Sequence, residues 1–157
     1  GFRRAIFAEP EGGTDVKGLL RVVLGFAPLG IGYLEHLYLL RHMDTLPPLM
    51  LIALGTLLLW ALLSYLTADG GKKALPQVLC LNAANFLALA LVLVQALLFG
   101  HYWINAAGMA SQLFFLPLIH LAAFLPLHYV WAMDILITLV LLLISWYTCR
   151  LKNRTQH

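Results

Sequence analysis

Long apolar runs, separated by short polar breaks, make up most of this chain. Three of these runs reach the ~20 residues that a helix needs to cross a bilayer core of ~30 Å: residues 18–40, 49–67 and 76–99. A helix satisfies its backbone polar groups internally, and this is a condition for any segment that faces lipid. The pattern therefore predicts three transmembrane helices.

The last apolar stretch, residues 106–149, is too long for one crossing. As a single helix it would measure about 65 Å at about 1.5 Å per residue. It must fold back, and Pro126 is the natural corner because proline breaks a helix. Aromatic pairs at Tyr102-Trp103 and Trp146-Tyr147 are typical of membrane interfaces. We predict a fourth span over 105–127 and a fifth over 129–149.

The basic residues favour a different arrangement. Five crossings put six Lys and Arg residues on one side and four on the other, whereas four crossings with a re-entrant segment around 109–127 give nine against one. Cytoplasmic loops carry an excess of Lys and Arg, which favours the second arrangement. Re-entrant segments, however, need protein around their broken backbone. Five crossings is our prediction, with four plus a re-entrant segment as the alternative.

Composition fits a membrane protein of one bundle. Of 157 residues, 62% are hydrophobic and 11% charged, and the mean hydropathy is +0.87. We predict an all-α, polytopic helical bundle (18–149) between a polar or interfacial segment (1–17) and a basic tail (150–157). The net charge of +3 comes from residues that flank apolar runs, so it indicates lipid headgroups and topology, with no nucleic acid as partner. We expect a bacterial inner membrane, with the N-terminus cytoplasmic.

One face of the first span combines small and polar residues. Five positions fall within about 100° of helical arc: Gly25, Pro28, Gly32, Glu35 and His36. Small residues let a second helix approach closely. Glu35 either pairs with Arg41 or His36, or carries a proton or a ligand, because a carboxylate within a membrane is expensive to keep.

Other polar residues within the spans are candidates for a pathway. Asn82 and Asn85 share a face of the third span, where they form either a helix–helix seam or a polar lining. His120 lies in the fourth segment and Asp134 in the fifth. With five crossings His120 approaches Asn82 and Asp134, whereas with a re-entrant segment it joins the other histidines near Glu35.

A metal site is a further hypothesis. Four residues lie toward the face opposite the N-terminus, and imidazole with carboxylate suits several transition metals: Glu35, His36, His42 and His101. His36 and His101 are also the candidates for a haem held by two histidines. Their spacing matches no metal motif, so the cofactor stays unknown.

These observations favour a transport or channel component, or a non-catalytic subunit of a larger membrane complex. Within this sequence no segment outside the apolar runs is long enough to bind nucleotide, and the isolated polar groups suit seams or pathways. Glu35 with His36 would carry the proton or cation, and Asn82 with Asn85 would line the path. A bundle this small predicts a homo-oligomer or other membrane subunits. The alternative is an intramembrane metal- or haem-binding enzyme.

Overall fold

The computed structural model describes the backbone of residues 12–155, with side chains from residue 16 onward. Helices make up 79% of it, and no strand occurs in this part of the chain. The helices, in chain order, are α1 (Gly12–Leu24), α2 (Ala27–Arg41), α3 (Leu49–Thr67), α4 (Ala74–Leu81), α5 (Ala83–Leu93), which continues as a π-helix (Val94–Phe99), α6 (Ala106–Ala122) and α7 (Val130–Thr155).

Three helical segments are long and apolar enough to cross a membrane. They are Val16–Arg41, Leu49–Thr67 and Val130–Thr155, and a fourth exists if α4 and α5 with its π-helix count as one span bent by 54°. The predicted membrane bundle agrees with this finding. The prediction of five spans is not confirmed, because α6 has 17 residues and measures about 25 Å at about 1.5 Å per residue.

The third span bends at Asn82. The Asn82 side-chain amide donates to the Val78 carbonyl at 2.9 Å, a contact of the kind that bends helices. Gly25, between α1 and α2, lies against the Leu81 carbonyl, so close that a β-carbon would have no room there. This close approach coincides with the break between α1 and α2.

Charged residues collect at one end of the bundle, which we call the basic end. Lys17 and Arg21 of α1 both contact Asp69, in the connection between α3 and α4, at 3.0 Å. At the end of α7, Lys152 donates to the Tyr65 carbonyl at 2.9 Å. The start of α1, the turn after α3 and the end of α7 therefore lie together.

Helices α3 and α7 run in the same direction. Trp60 contacts Ser145, and Tyr65, further along α3, contacts Lys152, further along α7. Because α1 runs away from the basic end and α7 returns to it, both ends of the helical bundle lie on one side. The other end, which carries the 42–48 connection and the start of α7, is called the far end below.

Helix α6 runs parallel to α2 and does not reach the basic end. Its first turns share a groove with Phe26 and Tyr33, near the middle of the first span. Its last residue, Ala122, lies beside Leu57 and Ile137, in the half of the bundle toward the far end. The fourth segment thus occupies only part of the depth that the five-span prediction requires.

The core forms where α6 meets α3, α5 and α7. Its largest buried side chains are Trp60, Phe114, Phe115, Leu118 and Leu141. Residues 12–17 and 150–155, predicted to flank the bundle, continue its first and last helices. Residues 1–11 and 156–157 lie outside the described part of the chain.

Candidate functional site

Helices α2 and α6 approach each other closely at Gly32. A β-carbon at this position would collide with the Leu113 carbonyl oxygen and lie 3.2 Å from the Pro117 ring. The buried residues of α2 are Pro28, Gly32 and Glu35, all on the face that the sequence pattern predicts. The small side of α2 thus docks α6 directly beside Glu35.

One turn beyond Gly32, Glu35 meets His120 of α6. The distance from His120 Nε2 to Glu35 Oε1 is 3.3 Å. The Glu35 side chain is 1% exposed and that of His120 is 27% exposed. The second carboxylate oxygen, Oε2, is buried and has no hydrogen-bond partner among the described residues.

This pair has the chemistry of a proton-binding site. When both of its ring nitrogens are protonated, His120 donates through Nε2 to the carboxylate, and transfer of that proton converts the imidazolium–carboxylate ion pair into a neutral imidazole and a carboxylic acid. Oε2 retains two free lone pairs, so it is a second acceptor for a proton or a cation. His120, the more exposed partner, connects Glu35 to the surroundings of the bundle.

The predicted partner of Glu35 was Arg41 or His36, and the structure pairs Glu35 with His120 instead. Glu35 is among the buried residues of α2, whereas His36 is only partly buried. His42 contacts the Tyr38 carbonyl and His101 the Phe99 carbonyl.

The structure gives the predicted metal site no support. Within residues 16–155 no three His, Cys, Asp or Glu side chains converge as a metal would need, so the predicted set of Glu35, His36, His42 and His101 does not assemble. A haem held by His36 and His101 stays a prediction.

Asn82 and Asn85 belong to a buried polar network between α3, α7 and the bend of the third span. Asn82 donates to Ser145 at 3.1 Å, Asn85 donates to Asn82 at 3.2 Å, and Thr138 donates to Asn85 at 3.1 Å. Trp60 closes the network by donating to Ser145 at 3.0 Å. Both asparagines are completely buried, and their hydrogen bonds join the third span to α7, whereas a role in lining a path stays a prediction.

Asp134, near the start of α7, is a second buried carboxylate. It is 3% exposed, and its Oδ1 has no hydrogen-bond partner in the described part of the chain. Its surroundings include Tyr102, in the connection before α6. Burial raises the pKa of Tyr102, and the negative charge of Asp134 adds to that increase.

Sequence reasoning assigned Gln95 no defined role, yet this residue organises the turn before α6. Its carbonyl accepts the Trp103 backbone N–H at 2.8 Å, and its amide donates to Ser111 at 3.0 Å. The residue is completely buried and lies in the π-helix. A glutamine inside an otherwise apolar run was the available signal, but nothing in the sequence indicated its partners.

At the basic end, Arg21 holds the turn after α3. It donates to the Thr67 carbonyl at 2.8 Å and to the Gln77 side chain at 3.2 Å, in addition to its ion pair with Asp69. The hydrogen bond from Lys17, with further help from Arg21, lowers the pKa of Asp69 below its ordinary value. These contacts fix the α3–α4 turn and leave Lys72 and Lys73 exposed.

Comparison with known proteins gives no further guide, since no family model, curated protein or solved structure matches the chain.

Proposed function

We propose that this chain is a proton-binding component of a membrane transport system, in which Glu35 and His120 hold the proton. The observation that carries the proposal is the buried contact of 3.3 Å between them, with one carboxylate oxygen left unpartnered. Carboxylates and histidines inside membrane bundles are typical of proton relays. His120 replaces His36 in the role predicted for the partner of Glu35.

The proposal includes four complete crossings, with α6 as a segment that inserts from the far end without crossing. The support is that α1 begins and α7 ends at the same end, which an odd number of crossings would prevent. Among the described residues, seven Lys and Arg residues lie toward the basic end and one, Arg41, toward the far end. We therefore orient the basic end to the cytoplasm of a bacterial inner membrane.

A bundle of this size encloses little space, so we expect the complete transport path to form between copies of this chain, an assembly that the purified protein can make. In that assembly the Glu35–His120 pair supplies the proton site. The asparagine network stabilises the bundle that holds the pair.

The test measures proton movement through the purified full-length chain in liposomes. A pH gradient is imposed, and its decay is followed with a dye enclosed in the liposomes. We expect the wild-type protein to speed the decay, and Glu35→Gln and His120→Gln to remove most of that effect. Asp44→Asn is the matched control, because Asp44 is an exposed carboxylate in the 42–48 connection.

If Glu35→Gln and the wild type give the same decay, the proposal is wrong. The Glu35–His120 contact would then be a packing contact, as expected in a non-catalytic subunit. An absorption spectrum and metal analysis of the same preparation address the metal or haem enzyme, since bound haem or stoichiometric metal would favour that alternative.

A further inference from the structure

The far end of the bundle contains an open cavity whose walls are largely aromatic. Its volume is about 560 Å³, within the range of small-molecule sites. The aromatic and imidazole rings that line it come from the connection after the π-helix and from the start of α7: His101, Tyr102, His128, Tyr129 and Trp131. The rings of Tyr129 and Trp131 stack on each other, with centroids 5.6 Å apart.

Asp134 lies about one helical turn along α7 from Val130 and Trp131 of the cavity wall and is not itself one of the lining residues. Val130 and Trp131 line the cavity, and positions three and four residues apart share one face of a helix. Helical side chains also lean toward the N-terminus of their helix, which for Asp134 means toward Val130 and the cavity. The charge of Asp134 acts on Tyr102, a residue of the cavity wall.

One oxygen of the Asp134 carboxylate has no hydrogen-bond partner among the described residues. This oxygen, Oδ1, is buried, and the whole residue is 3% exposed. A buried acceptor without a partner costs about 1–3 kcal/mol, more when it is charged. A cationic group entering from the cavity would remove that cost.

The charges at the far end have the sign that favours a cation. The described part of that half contains three carboxylates, Glu35, Asp44 and Asp134, against the single guanidinium of Arg41. None of the residues that line the cavity is a Lys or Arg, so no such cation in its wall repels a positively charged ligand. The basic end has the opposite balance.

We infer that this cavity binds an organic cation, with the ammonium group against Asp134 and its substituents against Trp131 and the two tyrosines. Aromatic faces attract protonated or quaternary amines, most strongly Trp and then Tyr. The site would supply the substrate class for the transport role proposed above. Its geometry, however, does not use Glu35 or His120.

The test is equilibrium dialysis of the full chain in lipid nanodiscs, with empty nanodiscs to subtract partition into lipid. The probe is benzyltrimethylammonium, and neopentylbenzene, its neutral isostere, is the matched ligand. We expect Asp134→Asn to weaken binding of the cation by about tenfold or more, the equivalent of about 1.4 kcal/mol. Binding of the neutral isostere is expected to be weak and unchanged.

Two variants separate the ring contribution from folding. Trp131→Phe keeps an aromatic face and should lose less affinity for the cation than Trp131→Leu. Asp44→Asn, at the same end of the bundle, should bind like the wild type. Glu35→Gln should also keep cation binding, so this experiment and the proton experiment fail independently.

Equal binding of the cation and its neutral isostere would overturn the inference. The rings would then form an interfacial aromatic belt only. Unchanged affinity in Asp134→Asn would also overturn it, because the carboxylate would have no part in the site.

Discussion

Replacement of Gly32 by alanine tests the contact that brings Glu35 and His120 together. The added β-carbon would collide with the Leu113 carbonyl oxygen and lie 2.9 Å from the carbonyl carbon. Both are backbone atoms, so no side-chain rotation relieves the collision. Helix α6 has to move away from α2.

The expected loss of stability follows from two contributions. Overpacking of a tight contact costs about 1–3 kcal/mol. A shift of α6 by about 1 Å would also stretch the Glu35–His120 contact from 3.3 Å beyond the hydrogen-bond range, and hydrogen bonds between membrane helices average about 0.6 kcal/mol. We expect Gly32→Ala to unfold with a free energy about 1.5–3.5 kcal/mol lower than that of a Gly-to-Ala change on the same helix that causes no collision.

The measurement is reversible unfolding in mixed micelles, with Gly30→Ala as the control. Gly30 lies on the same helix, and a β-carbon there meets no atom within 4 Å. The control therefore carries the same change in helix propensity without the collision. The difference between the two variants isolates the α2–α6 contact.

Equal stability of Gly32→Ala and Gly30→Ala would refute the close approach of α2 and α6. If Gly32→Ala is destabilised but still moves protons like the wild type at the same folded fraction, the proton site does not depend on the 3.3 Å contact between Glu35 and His120.

Three further outcomes are expected. The contacts with Lys17 and Arg21 hold the pKa of Asp69 below its ordinary value, so its carboxylate stabilises the fold at neutral pH, and this stabilisation is lost as the pH falls through the lowered pKa. The free energy of unfolding of Asp69→Asn should therefore depend less on acid pH than that of the wild type, and an equal dependence in both proteins would contradict this. Gln95→Leu leaves the Trp103 N–H unpaired and should lower the free energy of unfolding by about 1–3 kcal/mol. Gln112→Leu, at an exposed position of α6, is the control and should change it by less than about 0.5 kcal/mol. Equal effects of the two substitutions in unfolding measurements would argue against the hydrogen bonds of Gln95. Reporters fused to the two ends of the chain should lie on the same side of the membrane, and opposite sides would exclude four crossings.

Local patterns predicted the parts of the fold that depend on local physics. The spans over 18–40 and 49–67 correspond to α1 with α2 and to α3, because run length and charge alone decide whether a helix suits lipid. The small face of the first span also packs as its periodicity predicts, with Gly32 and Glu35 buried.

The candidate site was predicted only in part. Glu35 stands out as a carboxylate in an apolar run, but its partner His120 lies 85 positions away. The five-span prediction separated these residues, whereas the re-entrant alternative brought His120 toward Glu35. More weight on the basic residues would have favoured the alternative, because it places nine Lys and Arg residues on one side and one on the other, whereas five crossings place six and four.

The sequence by itself determined that this chain is helical, apolar enough for a membrane and marked by a few isolated polar residues. Only the tertiary structure decided which of those residues meet. Length and hydropathy are sums over neighbouring residues, so they can be read along the chain. The depth and direction of α6 depend instead on where one helix surface fits another, and a glycine at position 32 allows that fit beside Glu35. The tertiary structure also leaves Oδ1 of Asp134 buried, with no hydrogen-bond partner among the described residues.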